Sequence, residues 1–174
     1  MTHHPRKRFG QHFLHDPAVI ERIVRAIDPQ PGDTIIEIGP GQGAITLPLL
    51  QKEVVERMAA APGNKRYGRL TVMLAVSVKV EKLFTIGAGA FKPPPAVESA
   101  FCSLTPWPQP AFEVPDAERF RRLVTQAFSA RRKTLRNALK GMVSVEQIRG
   151  LDIDPGLRPE NLSPAQFAAL AALR

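Results

Sequence analysis

The sequence predicts an α/β fold followed by a small all-helical unit, and three observations carry that expectation. The first is the stretch 34–43. Ile35, Ile36 and Ile38 form a short β-branched run ending in Glu37-Ile38-Gly39-Pro40-Gly41-Gln42-Gly43. This reads as a strand buried on both faces, then a glycine turn, then a helix starting at Ala44. The second is the alternation of Val72, Leu74, Val76, Val78 and Val80 with Thr71, Met73, Ala75, Ser77 and Lys79. It predicts a strand over 70–80, with Leu83–Ile86 extending it after a break. The third is a change of character behind the proline-rich stretch 105–115, where apolar residues recur at helical spacing. The expected organisation is an α/β domain over 1–104, a linker over 105–115 and a helical domain over 116–174.

Taken in order, the first fifteen residues hold a basic cluster, Arg6-Lys7-Arg8, beside Phe9 and Phe13. That suits an arm contacting phosphates, and equally a solvated tail with an apolar anchor. Asp16-Pro17 is a helix start, a capping acid followed by proline at the first helical position. Val19, Ile20, Ile23, Val24 and Ile27 then give one apolar face. Leu49, Leu50, Val54, Val55 and Met58 extend the helix after the glycine turn through Ala61, and Pro62-Gly63-Asn64 stops it. Gly87–Pro95 reads as a loop held extended by Pro93-Pro94-Pro95. Val97–Leu104 reads as a strand that pairs antiparallel with the one before it. Asp116 caps a helix carrying Phe120, Leu123, Val124, Ala127 and Phe128 on one face. Ser144-Val145-Glu146-Gln147 and Ser163-Pro164-Ala165-Gln166 fit the capping box and start two further helices.

Composition narrows the function. Across 174 residues, 44% hydrophobic content supports a real core. Lys and Arg number 24 against 16 Asp and Glu, a net charge of +8 that favours a polyanionic partner. The charge is concentrated: from Arg119 to Lys140 there is no acid, while Arg119, Arg121, Arg122, Arg131, Arg132, Lys133, Arg136 and Lys140 are basic. The single cysteine, Cys102, excludes an internal disulfide and fits a reducing compartment. No apolar run approaches the ~18 residues of a membrane span. The N-terminus lacks the apolar region of a secretory leader, so a cytoplasmic location is expected. The histidines (His3, His4, His12, His15) have no cysteine or carboxylate cluster at ligand spacing, so no metal is expected.

The glycine turn carries the chemistry. Glycines let backbone N–H groups approach a polar ligand closely, and Glu37 faces the same mouth. The spacing Glu37-x-Gly39-x-Gly41-x-Gly43 differs from the dinucleotide fingerprint and resembles the first motif of Rossmann-like S-adenosylmethionine (SAM) methyltransferases. Further stretches resemble one family in order: Arg6–Leu14, Glu37–Gly43, Gln51–Arg57 with Tyr67–Leu70, Phe91-Lys92-Pro93-Pro94-Pro95-Ala96-Val97-Glu98-Ser99, and Ala127–Asn137. That family is the small-subunit ribosomal RNA adenine-N6,N6-dimethyltransferases. The resemblance implies methyl transfer from SAM to two adjacent adenines of small-subunit rRNA, in a cytoplasmic enzyme expected to be monomeric. It assigns cofactor contacts to Gln11, His12, Leu14, Glu37, Gly39 and Gly41, with no metal. The basic arm and the basic field nominate Arg6, Lys7, Arg8, Arg131, Arg132, Lys133 and Arg136 as the rRNA contacts. The resemblance nominates Phe91 to stack on the target base, against the plainer reading of a packed loop anchor.

The chain departs from that family between Leu50 and Gln51. Several βα units of roughly 30 residues are missing, on the order of 80–100 residues in all. With them go the acid about 20 residues after the glycine turn, an aspartate for the cofactor adenine, and the Asn-Leu-Pro-Tyr motif that receives the target amine. Glu53 and Glu56 stand near the distance of that acid but within a helix pattern. The expected fold is thus a Rossmann-like methyltransferase domain missing its central strands. The expected chain is catalytically impaired, the alternative being a non-catalytic remnant that binds rRNA.

Overall fold

The computed structural model describes residues 13–28, 49–130 and 132–173, of which Phe13 and Leu49–Gln51 are described by backbone alone. The predicted central strand and glycine turn, 34–43, lie outside the described residues. Contacts divide the chain into two compact units. One takes in the described residues of Met1–Val55 and Lys82–Ser103, the other those of Glu56–Glu81 and Leu104–Arg174. The segment 56–81 therefore groups with the helical tail, an affinity that no local sequence feature announces.

In the first unit, β1 (Phe13–Leu14) leads into α1 (Pro17–Ile27). The Asp16 carboxylate accepts from the N–H groups of Ala18 (2.9 Å) and Val19 (3.3 Å), as its position before Pro17 predicts. The helix ends at Asp28, whose positive φ of 45° turns the chain while its N–H still reaches the Val24 carbonyl. Ile23 is fully buried, with Val19, Ile20 and Ile27 packed around the same cluster, whereas Val24 is exposed and drops out of the predicted face. β4 (Phe91–Lys92) pairs antiparallel with β1. The strands β2 (Leu49–Gln51), β3 (Val78–Ile86) and β5 (Ser99–Pro106) form a sheet in the order β2–β5–β3. The run 97–104 is thus a strand beside β3, shifted by two residues.

Two predicted elements are corrected. The first is the helix extended back through Leu49 and Leu50. These residues instead form β2, antiparallel to β5 with Leu49 opposite Phe101 and Leu50 opposite Ala100. The ladder continues in the Lys52 N–H to Glu98 carbonyl bond, and the Lys52 ammonium lies 2.6 Å from the Glu98 carboxylate. Only then does α2 (Lys52–Met58) begin. Pairing with a strand far along the chain outweighs the local helical spacing. The second is the strand over 70–80. Its first half is the helix α3 (Arg69–Ala75), and β3 begins at Val78. The apolar run satisfies both periods, since Leu70, Met73 and Leu74 also recur at helical spacing. The Thr71 hydroxyl settles the helix start: it accepts from the Gly68 N–H at 3.2 Å and donates to the Arg57 carbonyl.

The second unit is built on α4 (Ala117–Ser129), capped by Asp116, whose side chain accepts from the Arg119 N–H at 2.8 Å. It packs against α3, α5 (Leu135–Ala138) and α7 (Pro164–Ala172). Phe120, Leu123, Val124 and Ala127 are buried among Leu139, Ile148, Leu162, Phe167 and Leu170. Both expected capping boxes form, Ser144 with Gln147 at the start of α6 (Val145–Arg149) and Ser163 with Gln166 at the start of α7. Burying one such aliphatic or aromatic side chain contributes about 1.5–3 kcal/mol, so this cluster holds the unit together.

Tyr67 ties the segment before α3 to this core. Its ring lies edge-on to Phe128 at 6.1 Å, and its hydroxyl donates to the Leu162 carbonyl at 2.8 Å. Burial pushes its ionisation well above the ordinary phenol range. The folded state therefore holds the neutral form. Its contribution is complete below the unfolded value of about 10 and is lost as pH rises beyond it. Tyr67→Phe is expected to cost about 1–2 kcal/mol in urea unfolding at pH 7, by leaving the Leu162 carbonyl unpaired. It should also flatten the fall in stability above about pH 10. An unchanged alkaline limb would show that another group controls it.

Candidate functional site

The structure brings two nominated residues together. Leu14 on β1 and Phe91 on β4 are direct partners across the antiparallel ladder, and the His15 N–H donates to the Ala90 carbonyl at 2.9 Å. Sequence reasoning nominated one as a cofactor contact and the other as the base-stacking aromatic, without seeing that they are neighbours. Both are buried, Leu14 at 8% exposure and Phe91 at 5%. They share a cluster with Ile23, Ile86, Ala90 and Phe101. Phe84 stacks at a tilt on Phe101, 5.2 Å between centroids, and the Arg22 guanidinium sits 4.1 Å above the Phe84 ring. In this geometry Phe91 acts as a core anchor and offers almost no open face to a base.

Gln11, His12, Glu37, Gly39 and Gly41 of the nominated cofactor set lie outside the described residues. So do Arg6, Lys7, Arg8 and Arg131 of the nominated rRNA set. Leu14 is the one described member of the cofactor set. Its side chain is apolar and enclosed, so it can offer shape but no polar recognition.

The described members of the rRNA set, Arg132, Lys133 and Arg136, are all exposed, as is Lys140. The backbone that carries them is fixed from behind. The Leu135 N–H donates to the Leu157 carbonyl at 2.8 Å, and the Arg136 N–H to the Pro155 carbonyl at 3.1 Å. Leu135, Ala138 and Leu139 face inward, leaving the charged side chains in water. A hydrogen-bonded base thus carries exposed cations, an arrangement that suits phosphate contact.

The structure divides the basic field of 119–140, setting part of it in a second feature of the same unit that Arg69 joins. Arg119, Arg121 and Arg122 of α4 line an open cleft of about 650 Å³ together with Arg69 of α3 and the Gly141-Met142 turn. Arg69 was out of reach because its segment reads as β-strand in sequence, with no sign that it lies beside α4. The asparagines serve structure: the Asn64 side chain accepts from the Arg66 N–H, and Asn137 donates to Thr134. Asn161 closes a single 3₁₀ turn. Among the described residues no group of three or more His, Cys, Asp or Glu is placed to hold a metal.

The family model for ribosomal RNA adenine dimethylase matches residues 2–50 and again 47–173. The chain belongs to the ribosomal RNA adenine dimethylase family. The two matches overlap over residues 47–50, where the sequence predicts the internal deletion. Ribosomal RNA small subunit methyltransferase A of Marinobacter nauticus is 38% identical over 253 residues, covering 98% of this chain and 92% of the relative. The Pseudomonas aeruginosa protein of the same name is 37% identical over 252 residues, covering 97% and 94%. Each alignment is longer than this 174-residue dimethylase chain, so the relatives carry an internal segment that it lacks. Among solved structures, a dimethyladenosine transferase from Plasmodium falciparum superposes with a TM-score of 0.73 at 19% identity, covering 90% of this chain and 95% of that one. The 23S rRNA methyltransferase ErmE gives 0.55 at 19% identity. These two show a likeness of fold.

Phe91→Ala is expected to lower the unfolding free energy of this dimethylase chain by about 3–5 kcal/mol, the range for emptying a core aromatic site. A loss below about 1 kcal/mol in denaturant titration would show a ring free of the core and available to a ligand.

Proposed function

We propose that this chain recognises small-subunit rRNA, the substrate class of a family that dimethylates N6 of two adjacent adenines from SAM, and that as written it is impaired in methyl transfer. The observation that carries the reading is the pair of family matches overlapping over residues 47–50. What precedes and follows the break belongs to the family, and what lies between is missing.

The chemistry explains why the loss matters. The lone pair of an adenine amine is delocalised into the ring, so the nitrogen is a poor nucleophile. Acceptors must hydrogen-bond its two N–H groups as it attacks the methyl carbon, one proton leaving with each transfer. SAM, when bound, supplies an electrophilic methyl group. The chain's three asparagines are Asn64, Asn137 and Asn161, and none precedes a Pro-aromatic pair. Of the residues nominated to hold SAM only Leu14 is described, and its enclosed apolar side chain would offer the donor shape and no polar contact. For Phe91 to stack on a target base, its ring would have to leave the Leu14–Phe101 cluster.

Recognition is better served. Exposed Arg132, Lys133 and Arg136 on a fixed backbone supply phosphate contacts, joined in sequence by Arg131 and by the arm at Arg6-Lys7-Arg8. We assign the chain to the cytoplasm as a monomer, a setting that its single cysteine supports. Among the described residues no helix is long and apolar enough to cross a membrane.

Labelled SAM and undermethylated small subunits test the proposal. Methyl incorporation is expected to stay at background while the chain still binds the subunits. Arg132→Ala/Lys133→Ala/Arg136→Ala is expected to weaken binding and to lower the salt slope by about three. Sustained turnover would refute the impairment; binding indifferent to both salt and the triple variant would refute rRNA recognition.

A further inference from the structure

The cleft lined by Arg69, α4 and the Gly141-Met142 turn is a separate basic feature. Arg69, Arg119, Arg121 and Arg122 converge on it from two distant segments, and no carboxylate lines it. Four arginines lining one cleft with no carboxylate among the lining residues give it a positive potential, which an anion would lower. Arg119 is the most constrained of them. Its Nη2 donates to the Met142 carbonyl at 3.5 Å, while its Nε–H is buried and meets no acceptor among the described residues. The turn that supplies the carbonyl is set by Gly141, at a φ of +86° that favours glycine. Arg132, Lys133 and Arg136 do not line the cleft.

We propose that this cleft is a second phosphate-binding site, taking backbone phosphates of structured RNA independently of the Arg132–Arg136 surface. The inference rests on the rRNA reading above. Guanidinium forks match phosphate oxygens two at a time and stay charged at any working pH. The cleft is open, and Met142 is its one large apolar side chain. A free nucleotide would call for an enclosed apolar slot or an aromatic platform for its base, and the lining supplies neither. An RNA strand asks only for charge at the backbone, with its bases directed elsewhere.

The full chain and unmodified small-subunit rRNA made by transcription provide the test, with affinity followed against salt concentration. Arg121→Ala/Arg122→Ala is expected to weaken binding at low salt and to reduce the slope of log K against log salt by about two. Arg132→Ala/Lys133→Ala should give a similar loss, and the two effects should add, as for independent sites. Arg121→Lys/Arg122→Lys should keep most of the slope, which separates charge from folding. If the alanine pair does not fold, Arg69→Ala alone should lower the slope by about one. A wild-type slope in the cleft variants, beside a reduced one in Arg132→Ala/Lys133→Ala, overturns the cleft proposal and leaves rRNA recognition standing. No change in either set overturns rRNA recognition itself. Saturable ATP binding that the cleft variant abolishes, with the RNA slope intact, overturns the proposal in favour of a nucleotide site.

Discussion

The second unit depends on how α4 divides its surface. Phe120, Leu123, Val124 and Ala127 recur at helical spacing and are buried against α3, α5 and α7. With 3.6 residues per turn, burying that stripe forces Arg121, Arg122, Thr125 and Gln126 to the opposite side. All four line the basic cleft. The packing that stabilises the unit and the placement of its charge are therefore one event. No separate interaction is needed to aim the arginines: the apolar stripe has only one place to go, and the cations are what remain.

The first unit shows how a chain accommodates lost strands. Residues immediately at the break form β2, and they find a partner in β5, where Leu50 lies opposite Ala100. Val55, Ala100 and Cys102 close into a small buried cluster behind that pairing. Backbone groups left without a ladder are costly when buried and prone to pair with another chain when exposed. Pairing β2 with β5 satisfies one such edge. It also explains why Leu49 and Leu50 leave the helical pattern, because a strand edge in need of a partner outweighs a propensity worth tenths of a kcal/mol per residue.

What the sequence made legible was local. Asp16, Asp116, Ser144 with Gln147 and Ser163 with Gln166 all cap the helices that their spacing announces, because a cap is decided within four residues. Elements decided by distant partners were misread. The run 69–75 carries strand-like alternation but becomes a helix through the Thr71 contacts to Gly68 and Arg57 and packing on α4. The site divides the same way. Arg132, Lys133 and Arg136 were legible from charge alone. The adjacency of Leu14 and Phe91 and the convergence of Arg69 on α4 are tertiary facts that no periodicity encodes.

Recognition and chemistry also differ in how much structure they require. A phosphate contact is electrostatic, acts over several ångströms and tolerates a flexible side chain, so contacts contribute nearly independently. Methyl transfer requires donor, acceptor and two hydrogen-bond acceptors held in a near-attack arrangement, where a displacement of about 1 Å costs on the order of a hundredfold in rate. The proposed impairment follows from this second requirement, because the missing segment would carry part of that arrangement. The first kind asks only for cations on a folded base, such as that beneath Arg132–Arg136, where Leu135 and Arg136 bond to the backbone of Leu157 and Pro155. The proposed reading, RNA recognition outlasting methyl transfer, rests on that difference: charge on folded helices survives a deletion that an amine-binding motif does not.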